Sequence, residues 1–231
     1  MSGDDRSRAE RQTQPNSAAG KILLIDRDGT INSRPPNGGY LTGWDDFVWL
    51  EDNVEAMQLL AKGGFRFIVI SNQAGIGRGI VARATVDDIN RKMVADLSER
   101  GIDIVDVYIC PHHPDDNCDC RKPAPGMFRR AAREHSFRLD RSVYIGDDPR
   151  DAVAAHNAGC PSVLIGPERD VDPGSGVTAT FTSATLLGAL TWINQLFDIW
   201  DKGDADTLAK TIRRSRSGVR SSTNCSPNRA G

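Results

Sequence analysis

The sequence predicts an α/β fold, with helices covering both faces of a doubly wound, Rossmann-like parallel sheet. Three observations lead there. Continuous apolar runs of β-type residues recur along the chain, helix-spaced segments separate them, and polar or acidic residues gather where the runs end. A strand buried on both faces reads as an unbroken apolar run rather than an alternating one. KILLID (21–26) is the first, followed by FRFIVIS (65–71), VDVYIC (105–110), SVYIGD (142–147) and PSVLIG (161–166). Helices are expected at about 52–62, 84–100, 124–136 and 149–158. Gly63, Gly64, Gly101 and Gly159 stand where those helices should stop. Strand–helix alternation makes consecutive strands parallel, and right-handed crossovers then put helices on both faces. ATFTSA (179–184) is expected as a short edge strand, and LLGALTWINQLFDIW (186–200) as a helix packed on the domain.

The chain has 231 residues, enough for one domain with tails. Residues 1–20 are polar and aperiodic and read as a disordered leader; the globular domain is expected over 21–200. Residues 201–231 read as a basic, disordered tail, since 207–231 hold one Lys, five Arg and no acid. A formal net charge of -2 removes any global attraction to nucleic acid or anionic membrane. No apolar run approaches the roughly 18 residues of a membrane span, and the leader lacks the apolar core of a secretory signal. A cytoplasmic monomer is expected. Three of the five cysteines fall within eleven positions, a spacing that points to a metal rather than to bridges.

In an open α/β sheet, ligands bind beyond the carboxyl ends of the strands. Those ends read Asp26-Arg27-Asp28, Ser71-Asn72-Gln73, Cys110 and Gly146-Asp147-Asp148. Two carboxylates at i and i+2 share one side of an extended segment, and Gly29 then permits a sharp turn. One carboxylate can attack phosphorus and form an aspartyl-phosphate. The other can protonate a leaving alkoxide and then activate water. Two anions acting on a phosphate dianion require a cation, so Mg²⁺ is expected. The competing reading of such a pair is a strand-end turn with a helix-capping Asp.

Asp26-Arg27-Asp28-Gly29-Thr30-Ile31-Asn32 resembles the nucleophile motif of the haloacid dehalogenase-like phosphatases. Its form is similar to the subgroup of D,D-heptose 1,7-bisphosphate phosphatases and histidinol-phosphate phosphatases. The resemblance runs from about Lys21 to Gly166. It implies Asp26 as nucleophile and Asp28 as general acid/base. Asp26 would bind magnesium through its side chain and Asp28 through its backbone carbonyl.

The same resemblance extends to the other strand ends. Ser71-Asn72-Gln73-Ala74-Gly75-Ile76-Gly77-Arg78-Gly79 is similar to the loop that grips the transferred phosphate and the substrate, implying Ser71, Asn72, Gln73, Ala74 and Arg78 as contacts. Arg121 and Lys122, in a Cys-Arg-Lys-Pro run opening a helix candidate, are implied as further substrate contacts; a Lys there can neutralise charge on the phosphoryl group. Asp147 matches the magnesium ligand, and Asp151 a supporting acid behind it. Pro149 at a first helical position also makes Asp148 a plausible N-cap, beside a role at the substrate end of the site.

Cys110-Pro-His112-His113-Pro-Asp-Asp-Asn-Cys118-Asp-Cys120 spells C-x-H-x5-C-x-C. Three thiolates and one imidazole form a closed tetrahedral Zn²⁺ site with no position left for catalytic water. The subgroup carries the same ligands in this loop, so zinc is expected on Cys110, His112, Cys118 and Cys120. Sequence alone leaves His113 open as the imidazole ligand. Cys160 reads as core and Cys225 as a tail residue.

Between Asn32 and Glu51 there is no room for a large cap domain, so the site should be open, with Gly38-Gly39-Tyr40-Leu41 along one side. Within the subgroup, the Gly-Tyr segment, the Asn-Gln-Ala-Gly-Ile-Gly-Arg-Gly loop and the Arg-Lys-Pro-x-Pro-Gly-Met run favour a small phosphorylated sugar, D-glycero-D-manno-heptose 1,7-bisphosphate, cleaved at C7. The short Cys-His loop keeps histidinol phosphate as the alternative. A nucleic-acid 3′-phosphatase and a non-catalytic sugar-phosphate binding module are the readings from other classes; no aromatic stacking platform supports the first.

Overall fold

The computed structural model describes residues 20–35, 38–166 and 175–217, with side chains described through residue 212. Six strands form one parallel sheet in the order β3-β2-β1-β4-β5-β6. They are β1 (Lys21–Ile25), β2 (Phe65–Asn72), β3 (Ile104–Cys110), β4 (Val143–Gly146), β5 (Ser162–Ile165) and β6 (Phe181–Ser183). Between them lie α1 (Glu51–Lys62), α2 (Arg83–Glu99), α3 (Gly126–Glu134) and α4 (Pro149–Ala158), with α5 (Leu186–Lys202) and α6 (Ala205–Ser217) closing the chain. The order reverses at β1, whose neighbours are β2 and β4. The crevice at this switch point is where an α/β sheet receives a ligand.

Successive residues of a strand face opposite sides, so β1 feeds two cores at once. Leu23 and Ile25 pack with Met57 and Leu60 of α1, Ile89 and Met93 of α2, and Ile193, Leu196 and Phe197 of α5. Ile22 and Leu24 pack on the other face with Phe128 and Ala131 of α3 and Ala154 and Ala155 of α4. The strands are therefore apolar on both faces, which is why they read as continuous runs.

Two boundaries differ from expectation. Helix α3 starts at Gly126 rather than near 124, because Ala124 N–H closes a turn on Arg121 O (2.7 Å) and Gly126 N–H is held by Asp119 O (2.9 Å). Lys122 therefore lies in a tight turn before the helix. The tail expected to be disordered from 201 instead begins with helix α6. Asp204 accepts from Thr207 N–H (2.9 Å) and Thr207 Oγ1 (2.6 Å), capping the first turn, and Leu208 packs on the core beside α5. The leader up to residue 19, residues 218–231 and Cys225 among them lie outside the described residues. No helix among the described residues is long and apolar enough to cross a membrane.

Candidate active site

Asp26 stands just past β1, its N–H bonded to Ile145 O of β4 (2.9 Å). Its side chain is buried; Oδ1 accepts from Arg27 N–H (2.8 Å) and Lys122 Nζ (2.9 Å). Lys122 Nζ also reaches Asp151 Oδ1 (2.8 Å) and Tyr144 Oη (2.7 Å), so all three ammonium hydrogens are engaged. Burial pulls the Lys122 ammonium down, but Asp151 and Asp26 outweigh it and keep it charged. Burial pushes the Asp26 carboxyl up to about 7; Lys122 opposes this, and Asp151 and Asp28 add to it. A nucleophilic carboxylate in this position needs further positive charge.

Lys122 is delivered by Asn72 at the end of β2. Asn72 Nδ2 donates to Lys122 O (3.1 Å), and Lys122 N–H donates to Asn72 Oδ1 (3.0 Å). The Asn72 side chain thus clamps the Lys122 peptide while also lining the cavity. Gln73 likewise turns inward, its Nε2 donating to Asp28 Oδ2 (2.7 Å) and to Ser71 Oγ (2.9 Å). Asp28 also accepts from Asn32 Nδ2 (3.0 Å) and from the Arg27 guanidinium. The turn carrying both acids is closed by Arg27 O, which accepts from the amides of Thr30, Ile31 and Asn32 (3.2, 2.8 and 3.1 Å).

Asp147 and Asp151 approach from β4 and α4. Carboxylate oxygens of Asp26, Asp147 and Asp151 all lie within 4.8 Å of one another, a cluster of hard oxygen donors that suits Mg²⁺. The cluster already draws positive charge: Arg34 Nε and Nη2 each sit 2.8 Å from an oxygen of Asp147. Gly29, at φ +92°, makes this possible, since a Cβ there would strike Asp147 Oδ2 and Arg34 Nε. Asp151 is less available, because Oδ1 holds Lys122 and Oδ2 accepts Asp148 N–H (3.1 Å). Asp148 caps α4 through Arg150 N–H (3.0 Å). Burial raises its carboxyl, but hydrogen bonds from the Arg150 side chain (2.8 and 2.9 Å) and backbone hold it well below the usual carboxylate range.

These groups surround a cavity of about 480 Å³ at the switch point. Asp26, Asp28, Ser71, Asn72, Gln73, Ala74, Arg78, Arg121, Lys122 and Asp148, all named from sequence, line it together with Tyr40 and Leu41. Arg78 is exposed at its rim. Arg121 Nη1 is buried with no protein acceptor among the described residues. A second hollow of about 400 Å³ reaches Asp147 from the side of Trp49, Asn53 and Ile165. Sequence reasoning missed Tyr144 and Arg34. The hydroxyl in the middle of an apolar buried strand was a usable signal for Tyr144, because a buried phenol needs a partner. Nothing in the local sequence marks Arg34.

Cys110, His112, Cys118 and Cys120 converge beside this cavity. Their ligand atoms are 3.1–3.6 Å apart where neighbours touch, close to the edges of a tetrahedron around an ion about 2.3 Å from sulfur. His113 turns away and caps the 3₁₀ turn Pro114–Asp116, where its Nδ1 accepts Asp115 N–H (3.3 Å). The loop packs on Gly77, whose Cβ position falls on the backbone of His112 and His113. Gly77→Ala should therefore cost about 1–3 kcal/mol by overpacking. Calorimetry should show a melting temperature several degrees lower; an unchanged one would separate the two loops.

A family model described as HAD-hydrolase-like matches residues 119–171. A D-glycero-beta-D-manno-heptose-1,7-bisphosphate 7-phosphatase of Pseudomonas putida is 36% identical over 145 residues, 63% of this chain and 82% of the relative. Another, from Photorhabdus laumondii, is 41% identical over 140 residues, 58% of this chain and 73% of the relative. The crystal structure of D,D-heptose 1,7-bisphosphate phosphatase from B. bronchiseptica, complexed with magnesium and phosphate, superposes with a TM-score of 0.68 at 31% identity, over 76% of this chain and 98% of that one. With the two-acid turn, the buried lysine and the switch-point cavity in one place, the chain belongs to the haloacid dehalogenase-like phosphatases, in the family of the heptose bisphosphate phosphatases.

Proposed function

We propose that this chain removes the 7-phosphate of D-glycero-D-manno-heptose 1,7-bisphosphate through an aspartyl-phosphate on Asp26. The observation that carries this reading is the distribution of charge in the cavity. Asp26 and Lys122 line it as buried groups, and two guanidinium groups, those of Arg121 and the exposed Arg78, add positive charge to the same lining. A sugar with two phosphates needs two such stations, and the unpaired Arg121 Nη1 is a donor ready for an oxygen of the second. The activity of the relatives supports the same substrate.

In the first half-reaction an oxygen of Asp26 forms a bond to phosphorus as the ester P–O bond breaks. Asp28 gives its proton to the departing alkoxide. In the second, Asp28 takes a proton from water, the water oxygen bonds to phosphorus, and the Asp26 carboxylate is released with inorganic phosphate. Lys122 and Ser71 face the phosphoryl oxygens, and Lys122 exchanges one of its three present partners for the phosphate. Asp26, Asp147 and the backbone carbonyl of Asp28 are assigned to Mg²⁺, which when bound supplies positive charge that keeps Asp26 ionised and neutralises the phosphoryl group. Arg34 must yield at least part of Asp147 to it. Cys110, His112, Cys118 and Cys120 are assigned to a structural Zn²⁺, in a cytoplasmic setting where thiols stay reduced. Every group comes from one chain, so the reading needs no second copy.

A phosphate-release panel with Mg²⁺ tests the substrate. It compares both anomers of heptose 1,7-bisphosphate, histidinol phosphate and a 3′-phosphorylated oligonucleotide. One heptose anomer should lead in kcat/KM by about tenfold or more, the worth of one charge-assisted contact. Equal or better turnover of histidinol phosphate or the oligonucleotide would contradict it.

A further inference from the structure

We infer that Arg27, anchored by Asn90, is the positioning residue for Asp28. Arg27 is 1% exposed although it always carries charge, and such a group is kept inside a protein only where it is paired. Its partners divide into two. Nε lies 3.2 Å from Asp28 Oδ1, and Nη2 lies 3.1 Å and 3.0 Å from Oδ1 and Oδ2. Nη1 donates to Asn90 Oδ1 at 2.8 Å. Asn90 is itself buried, on helix α2, and does not line the cavity.

A guanidinium is planar and rigid, so fixing one end of the fork fixes the plane of the carboxylate at the other. Asn32 bonds Asp28 Oδ1 and Gln73 bonds Oδ2, each through a single donor on a rotatable side chain, whereas the guanidinium presents two donors to the carboxylate in one rigid plane. The turn itself does not need the guanidinium, because the backbone carbonyl of Arg27 closes it. What the side chain adds is aim, and aim matters at one moment: the proton on Asp28 must be within hydrogen-bond reach of the ester oxygen as the P–O bond breaks.

The inference rests on the assignment of Asp28 as the acid, and leaving-group dependence separates the two. An alkoxide needs the proton from Asp28 as Asp26 takes the phosphoryl group, whereas p-nitrophenolate departs as the anion without it. Because kcat/KM reports events only through that first cleavage, it isolates the acid step. Asn90→Leu should lower kcat/KM for the heptose bisphosphate about 10- to 100-fold, and for p-nitrophenyl phosphate by less than about threefold. Asn90→Asp restores the acceptor and should keep both within about threefold of the parent. Should Asn90→Leu fail to fold by circular dichroism, Arg27→Lys is read by the same criterion, since a lysine keeps the charge but cannot hold both partners. Equal losses on the two esters, or none on either, overturn the inference. Asp28→Asn is the reference: if it shows the leaving-group dependence and Asn90→Leu does not, the inference alone falls. If Asp28→Asn lacks it, the acid assignment falls and takes the inference with it.

Discussion

Asp26→Asn should lower kcat by on the order of 10⁴-fold or more, the scale seen when a covalent nucleophile is removed. The argument is local. The Asp26 carboxylate lines the cavity, with one oxygen held by Arg27 N–H and Lys122. An amide of the same shape offers no anion to phosphorus. The substitution also removes a negative charge from beside Asp151 and Asp28, both of which push the Asp26 carboxyl up. The variant should therefore fold at least as well as the parent. Intact thermal unfolding with lost turnover is the expected pair of results. Retention of a tenth of the parent's activity would contradict the assignment.

Cys118→Ser should carry the second largest effect, on metal content and loop order rather than on chemistry. With zinc in the four-ligand cluster, on the order of 10 kcal/mol of binding energy is tied to ordering the segment from Cys110 to Cys120. The next two residues are Arg121 and Lys122, and the loop lies against Gly77 in the segment that follows β2. Elemental analysis should fall from one zinc per chain to near none. Heptose bisphosphate kcat/KM should drop about tenfold or more as Arg121 and Lys122 lose their support. Full zinc content in this variant would remove Cys118 from the ligand set.

The sheet and the site's outline were legible in the sequence because both follow periodic or positional rules. Strands buried on both faces must be apolar throughout, and ligand-binding residues must sit at their carboxyl ends. That is enough to place Asp26, Ser71 and Asp147 at neighbouring strand ends, whereas Lys122, which follows no strand directly, is implied only by the resemblance of its Cys-Arg-Lys-Pro run. What was not legible depends on contacts between distant elements. Asn72 and Gln73 line the cavity as expected, but their hydrogen bonds to Lys122 O and Asp28 depend on the fold that brings those groups within reach. Asp148 could be cap or contact; it caps α4 while also lining the cavity. Helix α6 follows from Asp204 as a cap and from Leu208 meeting the core, neither of which composition weighs against a run of arginines. The sequence assigns Arg27 no role, because its hydrogen bond to Asn90, 63 positions away, exists only in the fold.

The central claim, that phosphorus is transferred to Asp26, is tested most directly by trapping. Enzyme mixed with heptose bisphosphate and Mg²⁺ is quenched in acid within the first turnover, and its peptides are mapped by mass. The account predicts a phosphoryl group on the peptide that ends the first strand, localised to Asp26. Phosphate on any other side chain, or cleavage of substrate with no labelled peptide at any time, would contradict it.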